Sequence, residues 1–162
     1  MIQLTNILVP TDFGTTSEAA LVYARDFAGR YHARLHLLHV ADNVLARFAG
    51  SVAFQPDLQT EVETAAKERV DAVLTERDRS ELHALGVVIT SLTVADAIVD
   101  FAKDRGMDLI VMGTHGRGAV AHLLMGSVAE RVVRLAPCPV LTVRRPEPEV
   151  FATEALGVVA AI

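Results

Sequence analysis

Gly113, Gly116 and Gly126, with Ser127 directly after the last, are the residues whose type and spacing bear most directly on chemistry. They lie in a run that opens Gly113-Thr114-His115-Gly116-Arg117-Gly118 and closes Met125-Gly126-Ser127. The apolar stretch Leu109-Ile110-Val111-Met112 precedes it, and a stretch of helical period follows from Val128. A strand that ends in glycines and re-enters a helix through Gly-Ser is suited to holding phosphate. Glycine lets backbone N–H groups turn inward with no Cβ in the way. The start of the next helix presents unpaired N–H groups at the positive end of its dipole. A serine at that start can cap the helix or donate its hydroxyl to an anionic oxygen. The spacing departs from two familiar phosphate fingerprints, having neither a Gly-Lys-Ser/Thr ending nor a G-x-G-x-x-G near the N-terminus. On the residues alone, glycines that only shape a tight turn remain the alternative.

Such a loop needs a frame. Short apolar runs at 4–9, 35–40, 87–92, 109–112 and 140–143 alternate with longer stretches of helical period, which is the pattern of βαβ units. Their apolarity is continuous, as suits strands covered on both faces. A helix over 17–31 places Ala20, Ala24, Phe27, Ala28 and Tyr31 on one face, with residues 15–17 supplying its cap. A long helix is expected over 58–85, turning Val62, Ala66, Val70, Val73 and Leu74 inward. A third over 95–105 turns Ile98, Phe101 and Ala102 inward and stops at Gly106. A fourth over 127–135 ends before Pro137 and Pro139. Five parallel strands with right-handed crossovers give a doubly wound open α/β sheet with helices on both faces. Residues 42–57 form an unusually long connection. The expected division is one domain over 1–145 and a tail over 146–162.

The pattern Gly-x2-Gly-x9-Gly-Ser/Thr after the fourth strand resembles the ATP-binding branch of the universal stress protein family. Asn6-Ile7-Leu8-Val9-Pro10-Thr11-Asp12-Phe13 resembles that family's opening strand and acidic loop. Leu35-His36-Leu37-Leu38-His39-Val40 resembles its second strand, and Cys138-Pro139-Val140-Leu141-Thr142-Val143-Arg144 its last. The resemblance implies a Rossmann-like sheet of order 3-2-1-4-5, of the adenine nucleotide alpha hydrolase-like kind. In that order the sequence of strands reverses between strands 1 and 4, whose carboxyl ends part to open a crevice. The loops 10–13 and 113–127 flank it.

The resemblance also implies a ligand and its contacts. The ligand is ATP, with Mg²⁺ that keeps several waters. Pro10, Thr11, Asp12 and the backbone of Val40 would hold the adenosine end, and Met112 and Gly113 would border the ribose. Gly116, Gly126, Ser127 and Val128 would face the phosphates through backbone N–H. His115 matches the family's common Thr-His-Gly, and Arg117 adds a nearby cation. An ionised Asp12 offers only acceptors, as a ribose or base requires; fixing its own loop or capping the first helix beside Thr15 and Thr16 is its alternative use. Ser127 reads as a helix cap whether or not phosphate is present. A homodimer is implied as well, through an open sheet edge at 139–144. One departure stands before the third helix. The family carries a glycine followed by proline or a small residue there, and this chain has Leu92-Thr93-Val94-Ala95.

Composition excludes several other classes. Fifteen basic against twenty acidic residues leave a net charge of −5, which argues against a nucleic-acid footprint. The same charge means that an anionic ligand must be attracted locally. With 162 residues, 51% hydrophobic and 22% charged, the chain is ordinary globular material. No apolar run approaches the roughly 18 residues a membrane span needs, and the opening residues lack the layout of a secretory signal. A cytoplasmic location is expected. The single Cys138 fits a reducing compartment and reads as a buried structural thiol. His36 and His39 lie three apart on a strand and so face opposite sides, where they cannot share a metal. No metal site and no catalytic residue are assigned. The leading reading is a nucleotide-responsive stress or regulatory module. The alternatives are a slow ATPase or self-phosphorylating protein, and a dimeric interaction protein independent of nucleotide.

Overall fold

The computed structural model describes residues 2–47, 56–114 and 125–144. Five strands form one parallel sheet: β1 (Asn6–Pro10), β2 (Arg34–Asp42), β3 (Leu85–Ser91), β4 (Leu109–Gly113) and β5 (Val140–Val143). Their order across the sheet is β3-β2-β1-β4-β5. The helices are α1 (Thr15–Tyr31), α2 (Val44–Arg47), α3 (Pro56–Val73), α4 (Glu76–Glu81), α5 (Val94–Asp104) and α6 (Ser127–Leu135). The expected doubly wound architecture is the one observed.

Alternation along each strand divides the apolar residues between two cores. Ile7, Val9, Leu35, Leu37 and Val111 point to one face, where Ala20, Ala24 and Ala28 of α1 and Val70 of α3 cover them. Leu8, Leu38, Ile110 and Met112 point to the other and pack on Ile98, Phe101 and Ala102 of α5 and on Ala129 and Val132 of α6. The alanine stripe of α1 presents the small surface that sits close over a central strand. Tyr31, expected inward, is instead 42% exposed at the last residue of α1. Gly106, at φ +59°, ends α5 in the left-handed region that glycine reaches without a Cβ penalty.

The helix expected over 58–85 is interrupted. The Thr75 hydroxyl accepts the Asp78 N–H at 3.1 Å, and the Asp78 carboxylate accepts the Thr75 N–H at 2.8 Å. This reciprocal capping box opens a separate helix, α4. Residues 76–81 hold no apolar residue that would mark a change of period, so the break is carried by the capping residues and not by the pattern. Leu85 belongs to β3. The long connection at 42–57 is in part helical, since α2 falls within it and α3 already begins at Pro56. Residues 48–55 of it, and the tail from 146, lie outside the described residues. Among the described residues no helix is long and apolar enough to cross a membrane.

His36 and His39 do face opposite sides of β2. The His36 ring meets Phe101 of α5 edge-on and lies 3.2 Å from the Asn6 carboxamide oxygen. Burial, reinforced by the charges of Arg34 and Arg105, lowers the His36 pKa from its ordinary 6.5. In acid the unfolded chain therefore takes up a proton that the folded state resists, and stability falls as pH drops through that region. Denaturant unfolding at about pH 7.5 and about pH 5.5 should show a smaller acid loss for His36→Leu than for the parent chain. Equal losses would contradict this account of the ring.

Candidate functional site

The sheet divides at one place. The β1–β4 ladder ends at Leu8–Ile110, yet β1 stays paired to β2 as far as Pro10–Leu38. Likewise β4 stays paired to β5 as far as Gly113–Val143. Beyond Leu8 and Ile110 each central strand therefore keeps only its outer neighbour, and a crevice opens at their carboxyl ends. This is the switch point of a doubly wound sheet, where the crossovers leave toward opposite faces. The N-termini of α1, α5 and α6 all lie at this end, each following its strand, and each contributes a partial positive charge.

One wall is the β1–α1 turn, which several hydrogen bonds of its own tie together. The Thr11 N–H continues the β2 ladder by donating to the Leu38 carbonyl at 2.8 Å. The Thr11 hydroxyl accepts the Phe13 N–H, and Asp12 Oδ1 accepts the Gly14 N–H at 3.0 Å. The buried Ser17 hydroxyl lies 2.8 Å from the same carboxylate oxygen. Asp12 thus fixes its own loop, one of the two uses open to it on sequence. The cap position of α1 is Gly14, with no side-chain bond, and not residues 15–17. Ser17 is held inside the turn instead.

The opposite wall is formed by the two ends of the glycine loop. The Thr114 N–H donates to the Val143 carbonyl at 3.0 Å, and the Gly126 N–H donates to the Thr114 carbonyl at 2.7 Å. These bonds close the neck of the loop. They also correct one assignment, because the Gly126 amide expected to face phosphate is committed to Thr114. Gly126 is the N-cap of α6, so Ser127 is the first helical residue and not the cap. The first intrahelical bond runs from the Glu130 N–H to the Gly126 carbonyl. The Ser127 and Val128 N–H groups precede it and have no acceptor within the helix. Gly113 has a packing role too. A Cβ there would lie 2.9 Å from Thr16 Cβ and about 3.0 Å from the Thr16 backbone. His115, Gly116 and Arg117 lie outside the described residues.

The floor is apolar. Pro10 and Met112 are buried, while Val40, Met125 and Val128 are half-buried against the cluster that contains Leu8, Leu38 and Met112. Residues expected at the two ends of a ligand, Val40 and Val128, so share one apolar surface. The structure brings Pro10, Thr11, Asp12, Val40, Met112, Gly113, Ser127 and Val128 to the carboxyl end of the sheet. Sequence reasoning missed Ser17, Thr114 and Met125. Only Ser17 left a signal, as a small hydroxyl five residues beyond an Asx turn. Where the glycine before α5 is missing, Ser91 Oγ accepts the Thr93 N–H and makes the turn. Cys138 is half-buried, and burial followed by the charge of Asp108 raises its pKa, so its thiol stays protonated at neutral pH.

An open parallel α/β sheet split at its switch point, with helix N-termini and an acidic turn around the split, is a doubly wound, Rossmann-like fold. The chain belongs to the universal stress protein family, whose model matches residues 3–144. It is 32% identical to universal stress protein MJ0577 of Methanocaldococcus jannaschii, across 86% of this chain and 94% of that one. It is 36% identical to a universal stress protein of Thermus aquaticus, across 85% and 97%. The solved structure of MJ0577 superposes with a TM-score of 0.75 at 29% identity, covering 90% of this chain and 99% of that one. Universal stress protein UspA from Lactobacillus plantarum gives 0.68 at 28%, covering 89% and 100%. Two structures at 20% identity, with TM-scores of 0.60 and 0.53, share the fold. One is a universal stress protein in complex with cAMP, the other an Archaeoglobus fulgidus protein in complex with dAMP.

Proposed function

We propose that this protein binds an adenine nucleotide, ATP with Mg²⁺, in the crevice between β1 and β4, and acts as a nucleotide-responsive stress or regulatory module. The observation that carries the reading is the early end of the β1–β4 ladder, which leaves polar loops over an apolar floor. The fold is one that accommodates adenylates, since two structures that share it are complexes with cAMP and dAMP. Val40 and Met112 would meet the base and ribose. The Asp12 carboxylate, which can accept about four hydrogen bonds, would serve the ribose as well as its own turn. The Ser127 and Val128 N–H groups and the α6 dipole would meet phosphate, offsetting the overall negative charge. His115, Gly116 and Arg117 belong to the same proposed site. When bound, the nucleotide supplies a transferable phosphoryl group. Binding, not turnover, is the activity proposed.

Ser127→Glu separates ligand from fold. An acidic residue in the first turn suits the α6 dipole, so thermal stability should hold or rise slightly. The added charge should repel phosphate and weaken Mg·ATP binding by about tenfold or more, equivalent to about 1.4 kcal/mol. Calorimetric titration of nucleotide-stripped protein measures both chains. A folded parent chain that binds no adenine nucleotide would leave the interaction-protein reading. Rapid product formation at saturating ATP, lost in Ser127→Ala, would favour the ATPase reading instead.

A homodimer through β5 is part of this proposal. β5 is an edge strand with Val140, Leu141 and Thr142 half-exposed, and such an edge invites pairing with a second copy.

A further inference from the structure

We infer that Arg69, Phe13 and His39 brace the β1–α1 turn in its binding geometry, and that these positioning residues set the affinity of the crevice without lining it. The inference rests on the nucleotide reading above. Phe13 has φ +62°, a left-handed conformation that a bulky aromatic residue adopts only when its surroundings enforce it. Three contacts do so. The Phe13 N–H donates to the Thr11 hydroxyl at 2.9 Å. The Phe13 ring meets the His39 ring at 4.5 Å between centroids, tilted by 37°. The Arg69 guanidinium carbon lies 4.1 Å from the Phe13 ring centroid, within range of a cation–π attraction.

His39 acts on the turn a second time. Its Nδ1 lies 2.8 Å from the Thr11 carbonyl oxygen, which can only accept, so Nδ1 carries the proton. Asp12 is therefore flanked by two anchored residues, Thr11 through its carbonyl and Phe13 through its ring. The brace belongs to the α1/α3 side of the sheet, where Phe13 packs on that core. The apolar floor of the crevice lies on the α5/α6 side. Arg69, on α3, is exposed and hence open to substitution without loss of the core. A strained turn held from outside the site is preorganisation: the ligand does not have to supply the ordering.

Two measurements on the full chain test this together: amide hydrogen exchange without ligand, and calorimetric titration with Mg·ATP. Arg69→Met keeps the stem and removes the cation. His39→Phe keeps a ring and removes the N–H donor. His39→Asn keeps a donor at the same branch position and removes the ring. Exchange at Phe13 and Gly14 should rise about two- to fivefold in Arg69→Met and about two- to tenfold in His39→Phe, with Ile110 and Val111 unchanged. Affinity should fall by similar factors, and His39→Asn should recover part of what His39→Phe loses. Faster exchange with unaltered affinity, or unaltered exchange in Arg69→Met, overturns the brace while leaving nucleotide binding intact. A folded parent chain that binds no adenine nucleotide overturns the ligand reading, and the affinity half of this inference with it. The exchange data then decide the remaining half alone.

Discussion

Gly113→Val is expected to destabilise the fold before it says anything about a ligand. The Cβ alone would stand 2.9 Å from Thr16 Cβ and 3.0 and 3.1 Å from the Thr16 carbonyl carbon and oxygen. Overpacking of this kind costs about 1–3 kcal/mol for a single added group. Alanine should fall in that range, and valine, with two further methyl groups, at its upper end or beyond. The urea midpoint of each variant measures this directly. A double variant, Gly113→Ala with Thr16→Gly, identifies the limiting contact. It removes only the side-chain clash, leaves the two backbone contacts, and adds about 1 kcal/mol for glycine in a helix. It should therefore recover little or none of the lost stability. Substantial recovery would show that the Thr16 side chain sets the limit, and α1 would then be less tightly seated on β4 than the distances indicate.

That result divides the glycine motif into parts with different duties, and the division was not legible in the sequence. The spacing Gly-x2-Gly-x9-Gly-Ser located the loop correctly at the end of β4, because an apolar run followed by glycines is a local signal. It could not show that Gly113 faces α1. That orientation depends on how closely the alanine stripe of α1 approaches the sheet, which is a tertiary distance. Nor could it show that the Gly126 amide bonds to Thr114 and closes the loop's neck. The strands were legible because continuous apolar runs bounded by polar residues have few other uses in a sheet covered on both faces. The strand order and the crevice came from resemblance, and the ladders then showed where β1 and β4 separate. The break between α3 and α4 was written in Thr75 and Asp78, yet no apolar residue in 76–81 marks it as a change of period. Phe13 shows the remaining gap. Its positive φ has no signature in composition or period, and becomes intelligible only beside His39 and Arg69, 26 and 56 residues away in sequence (39 − 13 and 69 − 13).

Asp78→Ala is the second substitution expected to have a large effect, and its cause lies in one carboxylate that holds three elements. Asp78 is 3% exposed and receives two hydrogen bonds from Arg25 of α1, at 2.8 and 2.6 Å. It also accepts the Thr75 N–H that opens α4, while Arg25 reaches the Val73 carbonyl at the end of α3. Removing one partner of a buried pair costs about 3–5 kcal/mol, and losing a cap about 1. Arg25 retains 31% side-chain exposure and can rehydrate, so about 2–4 kcal/mol is expected in total. Replacing both partners, Arg25→Met with Asp78→Ala, should cost less than the two single changes added together, since no uncompensated charge is left behind. Additive losses would show that the pair is not coupled. The pH dependence follows the same interactions. Burial raises the Asp78 pKa, but the Arg25 hydrogen bonds, those from Thr75 and the Arg25 charge together hold it below its usual 3.8. A carboxylate with a lowered folded pKa stabilises the fold above its unfolded pKa, and the effect is lost as pH falls through the folded value. The stability difference between the parent chain and Asp78→Asn should therefore be largest near neutral pH and shrink below about pH 4. A difference that stayed constant into acid would mean that packing and capping, and not the ionised pair, account for the loss.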